Sequence, residues 1–327
     1  MTIKRVTTAT AAALALPIAL LAQASGDTPQ VKALVDAAVR SAGPEWHEAA
    51  TFFCATEAQV GAMKILPSAT VNDLAGQRAE PMKVFDNLYF VGQKAVTTWA
   101  ITTPDGIILI DAGYAERVDD TLVAGLKKVG LDPANIKLVL IAHGHNDHFG
   151  GARALHDRFG ARIGMSAQDW EFIQPKPGQP DNGALPARDL VLEEGRPVTL
   201  GGTSVTPVLI PGHTPGSMGF IFPVKDGATT HTAALFGGSI LSPARTIPTA
   251  QFEQYLASIG HWRDVTNRAR VDVELINHPI MDGLFVKLAK LPSRKPGDAH
   301  PLVVGAASFQ RLVAAQADCM RVQLARR

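Results

Sequence analysis

The stretch "LIAHGHNDHFGG" at residues 140–151 constrains this chain more than any other part of its sequence. An apolar run, "IKLVLIAH", leads directly into a cluster of four ligating residues: His143, His145, Asp147 and His148. A continuous apolar run of this length predicts a strand that is buried on both faces, as in sheets covered by helices. We therefore expect a layered α/β fold in which one buried strand ends in a group of polar side chains.

The composition of this group is that of a metal site. Alternate residues of an extended chain point to the same side, so His143 and His145 can converge on one ion. Asp147 and His148 can serve a second ion nearby, because imidazole and carboxylate are ligands that zinc takes in catalytic sites. The two glycines that close the stretch remove side-chain bulk where the chain must turn. Surface histidines are the alternative explanation, but three histidines and an aspartate within six positions favour metal binding.

Two more histidines follow strand-like runs elsewhere in the chain. They are His213 in "LIPGHTPGS" and His278 in "LINHPIMDG". A histidine beside proline is often structural. A catalytic zinc, however, needs a third protein ligand and an open position, and both residues stand at the ends of predicted strands. The remaining histidines have no supporting pattern and are not expected to bind metal: His47, His156, His231, His261 and His300.

The first residues have the features of a cleaved secretory signal. Residues 1–24 contain a short basic start, an apolar stretch and the small-residue segment "AQA". A membrane anchor is the competing interpretation, but the apolar stretch contains Pro17 and is short for a span of about 20 residues. We expect a periplasmic or secreted protein in which residues 25–80 form an N-terminal extension and residues 81–327 form the main domain.

Composition and charge narrow the possible partners. Hydrophobic residues make up 46% and charged residues 19%, which is typical of a globular enzyme and excludes disorder. The net charge is +1 and no basic block occurs, so neither nucleic acid nor an anionic membrane is an expected partner.

Cys54 and Cys319 lie near the two ends of the mature chain. In an oxidising compartment they could pair and join the extension to the last predicted helix, although two separate buried thiols are the alternative.

The order of the predicted elements indicates two sheets. From Val84 onwards, short strand-like runs come first, then strands mixed with helices, more strands, and a final strand followed by a helix. Two packed sheets with helices outside satisfy this order.

Ser166 and Asp169 resemble a capping box at the start of a helix. The segment 174–189 is rich in proline and glycine, and we expect it to be a long loop beside the functional pocket.

These motifs resemble those of the metallo-β-lactamase superfamily, whose fold is an αββα sandwich with metals at one edge between the sheets. H-x-H-x-D-H and "PGHTPGS" carry the resemblance, which runs from about Val84 to Gly283. It implies two zinc ions per chain. The implied ligands are His143, His145 and His213 for the first ion, and Asp147, His148 and His278 for the second.

One position departs from many members of that superfamily. Many of its hydrolases, hydroxyacylglutathione hydrolases among them, place an aspartate after the strand "ALFGG" to bridge both metals, and one lactamase subclass places a cysteine there. This chain has Ser239, whose neutral hydroxyl is a poor zinc ligand. The pattern looks like the third subclass of the class B β-lactamases. It implies a zinc-dependent hydrolase in which a metal-bound hydroxide, oriented by Asp147, attacks the β-lactam amide.

The charge of such a centre favours an anionic small molecule. Two zinc ions, one carboxylate and one hydroxide leave a net charge of about +2. We predict that Ser239, Ser242 or both donate hydrogen bonds to the substrate carboxylate; Ser239 could instead satisfy only local backbone. A lactonase or another ester or amide hydrolase remains the alternative on the same scaffold. A non-catalytic zinc protein is less favoured, because structural zinc sites are usually closed and rich in cysteine.

Overall fold

The computed structural model describes residues 26–62, 77–175, 185–239, 241–279 and 282–327. Three of the predicted segments lie wholly or partly outside these residues: the signal at 1–24, the extension at 25–80 and the loop at 174–189. Within the described ranges, no helix is both long enough and apolar enough to cross a bilayer.

The first sheet contains the buried strand predicted from the sequence. Its strands in the described part of the chain, in spatial order, are β1 (Met82–Phe85), β2 (Leu88–Phe90), β3 (Trp99–Thr103), β4 (Gly106–Ile110), β5 (Ile136–Leu140), β6 (Arg162–Ser166) and β7 (Leu190–Leu192). The pairs from β1 to β4 are antiparallel and those from β4 to β7 are parallel. The apolar run before the histidines is therefore an interior parallel strand, as expected.

The second sheet is mostly antiparallel. Its described strands are β8 (Val198–Leu200), β9 (Thr203–Leu209), β10 (Met218–Asp226), β11 (Thr229–Phe236) and β12 (Val273–Ile276), in the spatial order β12-β11-β10-β9-β8. Only the β11–β12 pair is parallel among these described pairs, because the chain between the two strands crosses over through a long helix.

Helices cover the outer faces of both sheets. Those in the described residues are α1 (Pro29–Ala42), α2 (His47–Phe53), α3 (Glu57–Ala62), α4 (Ala124–Lys128), α5 (Asn146–Phe149), α6 (Ala152–Phe159), α7 (Ala167–Phe172), α8 (Thr249–Arg268), α9 (Leu284–Leu288) and α10 (Ala306–Ala325). A π-helical turn, Val118–Val123, leads into α4. The sequence predicted most of these elements but not α2, α5 or α9.

The alternation of side chains along β4 shows how the layers are built. Ile108 and Ile110 face the core between the two sheets, while Ile107 and Leu109 face the helices on the outer side. A strand buried on both faces needs apolar residues at every position, which explains the unbroken apolar runs in the sequence. A further apolar layer lies between the second sheet and helices α8 and α10. The architecture is the predicted αββα sandwich.

The N-terminal helices are bound to the end of the chain. Cys54, which follows α2, forms a disulfide with Cys319 in α10, so the predicted pairing is confirmed. The bridge lies in a small apolar cluster with Val31 and Val322. The extension is therefore held against the last helix by both a covalent bond and buried apolar surface.

A buried charge cluster lies behind β12. Lys287 Nζ donates to Glu274 Oε2 at 3.0 Å and to Asp282 Oδ2 at 2.8 Å. Two carboxylates thus share one cation, and full ionisation would leave an uncompensated buried negative charge. Burial, reinforced by the charge of Asp282, raises the pKa of Glu274 to about 8.

Candidate metal centre

All of the predicted ligand residues follow strands. His143 comes three residues after β5, His213 four residues after β9, and His278 two residues after β12. The loops are joined by backbone hydrogen bonds; the Met218 amide, for example, donates to the Ala142 carbonyl at 2.7 Å. Ends of strands from both sheets therefore converge, and the ligating side chains come together in two groups.

The first group consists of His143, His145 and His213. His213 Nε2 lies 3.1 Å from His143 Nε2 and 3.0 Å from His145 Nδ1. A tetrahedral zinc with bonds of about 2.0–2.1 Å separates its ligand atoms by about 3.3 Å. Three imidazole nitrogens around a common point at nearly this spacing fit a divalent cation.

The second group consists of Asp147, His148 and His278. His148 Nε2 lies 3.3 Å from both Asp147 Oδ2 and His278 Nε2. The separation between Asp147 Oδ2 and His278 Nε2 is 3.8 Å. The ring centroids of His143 and His148 are only 3.9 Å apart, so the two groups are adjacent and together suit a dinuclear centre.

Outer hydrogen bonds orient the imidazoles of the second group. His148 Nδ1 lies 2.7 Å from Asp111 Oδ2, and His278 Nδ1 lies 2.8 Å from the Ala95 carbonyl oxygen. A carbonyl oxygen can only accept, so the proton of His278 lies on Nδ1 and the Nε2 lone pair faces the group. Asp111 Oδ1 also accepts from the Ala142 amide at 2.7 Å, which fixes the carboxylate. Such partners are usual behind metal-binding histidines.

The protonation equilibria suit metal ligands. Burial lowers the pKa of His145, lowers that of His143 well below its usual value, and lowers that of His278 to about 4. These imidazoles are therefore neutral near pH 7, which is the form that binds a metal. Burial would likewise lower the pKa of His148, but the carboxylates of Asp147 and Asp111 outweigh it and raise the value to about 10. A cation at the second group must therefore displace the proton of His148, and the two carboxylates that raise the pKa of His148 would attract that cation.

Asp147 is the carboxylate of the centre. Burial alone would raise its pKa, but the charge of His148 and a hydrogen bond from it hold the pKa well below its usual range. The side chain keeps 23% of its surface exposed, whereas that of His148 is fully buried. Asp147 is therefore ionised and accessible at the open face of the centre.

Ser239 lies between the two ligand-bearing loops. It follows Gly238, where a Cβ would come within 2.6 Å of His213 Cβ, so the backbone passes directly beneath that imidazole. The buried Ser239 hydroxyl donates to Asn277 Oδ1 at 2.9 Å, next to His278 in the chain. Ser242 accepts from the Ala244 amide at 3.3 Å. The predicted role of both serines toward a substrate carboxylate stays a prediction.

The helix before the predicted loop, α7, ends close to the first group. The ring centroids of Phe172 and His145 lie 5.9 Å apart, and 40% of the Phe172 surface is exposed. Residues 176–184 of the loop lie outside the described residues. The glycine prediction is confirmed, because a Cβ at Gly150 or Gly151 would lie 2.3–2.4 Å from backbone carbonyl oxygens.

The other five histidines, all in described residues, lie outside both groups. Four of them contact acceptors elsewhere: His156 the Ala161 carbonyl, His231 the Asp272 carboxylate, His261 the Glu194 carboxylate and His300 the Val84 carbonyl. His47 is exposed on α2.

Sequence reasoning missed two residues beside the centre. Asp111 directly follows β4, the parallel neighbour of β5, so its position at the same edge was the available signal. Tyr114 is half-buried, and burial together with the charge of Asp147 raises its pKa to about 12. Its phenol is thus protonated near neutral pH and can act as a hydrogen-bond donor.

Comparison with known protein families finds a match over the stretch that contains His143, His145, Asp147, His148 and His213. The model of the metallo-β-lactamase superfamily matches residues 91–229. A hydroxyacylglutathione hydrolase of Haemophilus influenzae, GloC, is 34% identical over 160 residues, covering 46% of this chain and 70% of the relative. A hydroxyacylglutathione hydrolase of Pseudomonas putida is 33% identical over 136 residues, but this chain covers only 43% of its length.

Solved structures with the same fold include β-lactamases. BJP-1, a subclass B3 metallo-β-lactamase of Bradyrhizobium japonicum, superposes with a TM-score of 0.63 at 27% identity, covering 74% of this chain and 90% of that one. A mutant of the metallo-β-lactamase FEZ-1 of Legionella gormanii gives a TM-score of 0.66 at 25% identity, covering 77% and 97%.

Proposed function

This chain belongs to the metallo-β-lactamase superfamily, and we propose that it is a zinc-dependent hydrolase that opens the amide ring of β-lactams. The observation that carries the proposal is the pair of adjacent ligand groups with a neutral side chain, Ser239, between their loops. His143, His145 and His213 would hold the first zinc, and Asp147, His148 and His278 the second. Six nitrogen and oxygen donors without a thiolate suit zinc in a catalytic site.

Bound zinc would supply Lewis acidity and bring the pKa of a coordinated water to about 7. The ionised Asp147 can accept a hydrogen bond from the attacking water and so orient it toward the carbonyl carbon. The buried ligands His143 and His148 exclude water from the back of the centre, so attack comes from the open face.

The surroundings of Ser239 support an anionic substrate. A carboxylate at this position would lower the positive charge of the centre, and a hydroxyl does not. The Asn277 amide nitrogen is buried and has no hydrogen-bond partner among the described residues. The pair therefore keeps one unused donor, the Asn277 amide nitrogen, beside the serine. The Ser239 hydroxyl already donates to Asn277 Oδ1, so it would have to turn away from Asn277 to make the predicted hydrogen bond to the carboxylate of a β-lactam, whereas Ser242 would not.

A thioester hydrolase is the second candidate. It is favoured by the 34% identity to the hydroxyacylglutathione hydrolase of H. influenzae, and its reaction would also begin by attack of water on a carbonyl carbon. Two facts favour the β-lactamase. The β-lactamase structures superpose on 74–77% of this chain, and the residue between the loops is not a carboxylate.

Purified zinc-loaded protein should be assayed with nitrocefin, a carbapenem, a hydroxyacyl-glutathione thioester and a homoserine lactone, each with and without EDTA. EDTA-sensitive turnover of the β-lactams supports the proposal. Turnover of the thioester or the lactone alone contradicts it in favour of another hydrolase, and inactivity on all four favours a non-catalytic zinc protein. Ser239→Ala and Ser242→Ala should raise the KM for a penicillin. An unchanged KM in both variants removes their proposed role.

We also propose that the mature protein lies in the periplasm or outside the cell. The signal-like pattern of residues 1–24 supports export, and the Cys54–Cys319 disulfide fits an oxidising compartment. Fusion of residues 1–24 to a reporter that is active only after export tests this, and a reporter retained in the cytoplasm would contradict it.

A further inference from the structure

Asp169 is a buried carboxylate that belongs to neither ligand group. It lies in α7 and has no exposed surface. The sequence suggested a capping box, and Ser166 Oγ does accept from the Asp169 amide at 3.1 Å. The Asp169 carboxylate, however, does not complete the box. It accepts hydrogen bonds from two loops that lie far from α7 in sequence.

Both carboxylate oxygens are engaged. Asp169 Oδ2 accepts from the Gly144 amide at 2.7 Å and from Thr214 Oγ1 at 2.7 Å. Asp169 Oδ1 accepts from the Gly216 amide at 2.8 Å. Gly144 lies between His143 and His145 in the chain, and Thr214 directly follows His213. One carboxylate thus connects the two loops that carry all three residues of the first group.

The packing leaves these loops little freedom to move against α7. A Cβ at Gly216 would lie 2.0 Å from Ser166 Oγ, and one at Gly144 would lie 2.7 Å from Ile173 Cγ2. Burying a carboxylate is unfavourable unless donors surround it, and charge-assisted hydrogen bonds are about twice as strong as neutral ones. Three such bonds at this contact explain why a charged group is buried here, and they fix the relative position of the loops.

We propose that Asp169 is a positioning residue that sets the spacing of the three imidazoles of the first group and so determines that group's affinity for its metal ion. The inference rests on the proposed function, because it requires the first group to bind metal. Asparagine keeps the shape but replaces one oxygen by an amino group. That amino group must then face either the Gly216 amide or the Gly144 amide and Thr214 hydroxyl, placing donor against donor. Loss of an outer hydrogen-bond partner typically weakens metal binding about 10–100-fold.

The test isolates the first group. In a His278→Ala background, which disables the second group, the zinc affinity is measured by chelator competition and the ligand geometry by the absorption spectrum of bound Co²⁺. Asp169→Asn in this background should raise the Kd 10–100-fold and alter the spectrum. Asp189→Asn is the matched control: its carboxylate also accepts from a backbone amide, that of Ile163 at 3.1 Å, but contacts neither loop. The control should stay within about twofold of the parent.

A second pair of variants covers the case in which Asp169→Asn does not fold. Thr214→Val removes the hydroxyl that donates to Asp169, whereas Thr214→Ser keeps it. The valine variant should bind zinc more weakly than the serine variant, which should resemble the parent. Equal affinity in these two variants, or an unchanged Kd in Asp169→Asn, overturns the positioning role alone. A parent that binds no metal overturns the proposed function as well.

Discussion

Asp111→Asn should empty the second metal group while leaving the first one loaded. Asp111 accepts from the Ala142 amide through Oδ1 and contacts His148 Nδ1 through Oδ2 at 2.7 Å. The side-chain oxygen of an asparagine at this position must accept the hydrogen bond of the Ala142 amide, because the backbone N–H can only donate. Its amino group then faces His148 Nδ1, which must become an acceptor.

The change of tautomer sets the size of the effect. With Nδ1 accepting, the single proton of the neutral form of His148, the form that binds a metal, lies on Nε2, the atom that is 3.3 Å from both Asp147 Oδ2 and His278 Nε2. A protonated nitrogen has no lone pair for a cation. We therefore expect the affinity of the second group to fall at least 100-fold, the upper end of the usual effect of outer partners, or about 2.7 kcal/mol.

Metal stoichiometry by elemental analysis and Kd by chelator competition measure this loss. The chain offers a matched control in Asp272→Asn. Asp272 contacts His231 Nδ1 at 2.6 Å and accepts from the Thr232 amide at 2.9 Å, the same arrangement around a histidine that belongs to neither group. The control should retain two metals per chain. Two tightly bound metals in Asp111→Asn would refute the tautomer argument.

Three further outcomes follow from the structure. Replacing Cys54 and Cys319 by serine should lower the free energy of unfolding in urea by about 3–5 kcal/mol, because the disulfide joins residues that are 265 positions apart. Equal stability of the unaltered chain with and without reductant would contradict this. Gly151→Ala, which places a Cβ 2.4 Å from a backbone carbonyl oxygen, should lower the free energy of unfolding by about 1–3 kcal/mol. Gly260→Ala, on the open face of α8, should raise it by about 0.5–1 kcal/mol, so thermal melting should show opposite shifts in Tm for the two variants. The pKa of Glu274 is about 8 in the folded chain and about 4 in the unfolded chain, so its contribution to stability is complete below about pH 4 and is lost as the pH rises to 8. Glu274→Gln should therefore reduce the fall in the free energy of unfolding, measured in urea, between pH 4 and pH 8. An unchanged fall would show that another group titrates.

The fold could be predicted from the sequence where burial leaves a periodic signal. β5 was evident because both faces of the strand are covered after Lys137, so Leu138–Leu140 continue into Ile141 and Ala142 without a polar residue. β7 (Leu190–Leu192) gave no such signal: it is a three-residue strand with only Leu192 fully buried. α5 (Asn146–Phe149) was missed because it is only four residues long and carries two of the ligands, Asp147 and His148, so its composition suggested chemistry rather than a helix.

The ligand residues were predictable and the residues behind them were not. His213 and His278 follow strands, and the geometry of strand ends places them near His143. Asp169 had a sufficient local explanation as a capping residue, so nothing in the sequence indicated that its carboxylate contacts loops 25 and 47 residues away. Contacts of this kind depend on how the helices and sheets pack together, and a single amino-acid sequence does not contain that information directly.

The carboxylate of Asp111, behind the second ligand group, changes the net charge expected around the metal centre. The sequence suggested a net charge of about +2 with Asp147 as the only protein anion. The structure adds Asp111, which contacts the buried side of His148, so the total negative charge near the centre is larger. Interaction between charges falls with distance, and Asp111 lies behind an imidazole whereas Asp147 is partly exposed. A substrate carboxylate at the open face therefore lies closer to the cations than to Asp111. For this reason a neutral Ser239 matters more than the total negative charge: an aspartate there would add a charge between the loop of His213 and the loop of His278.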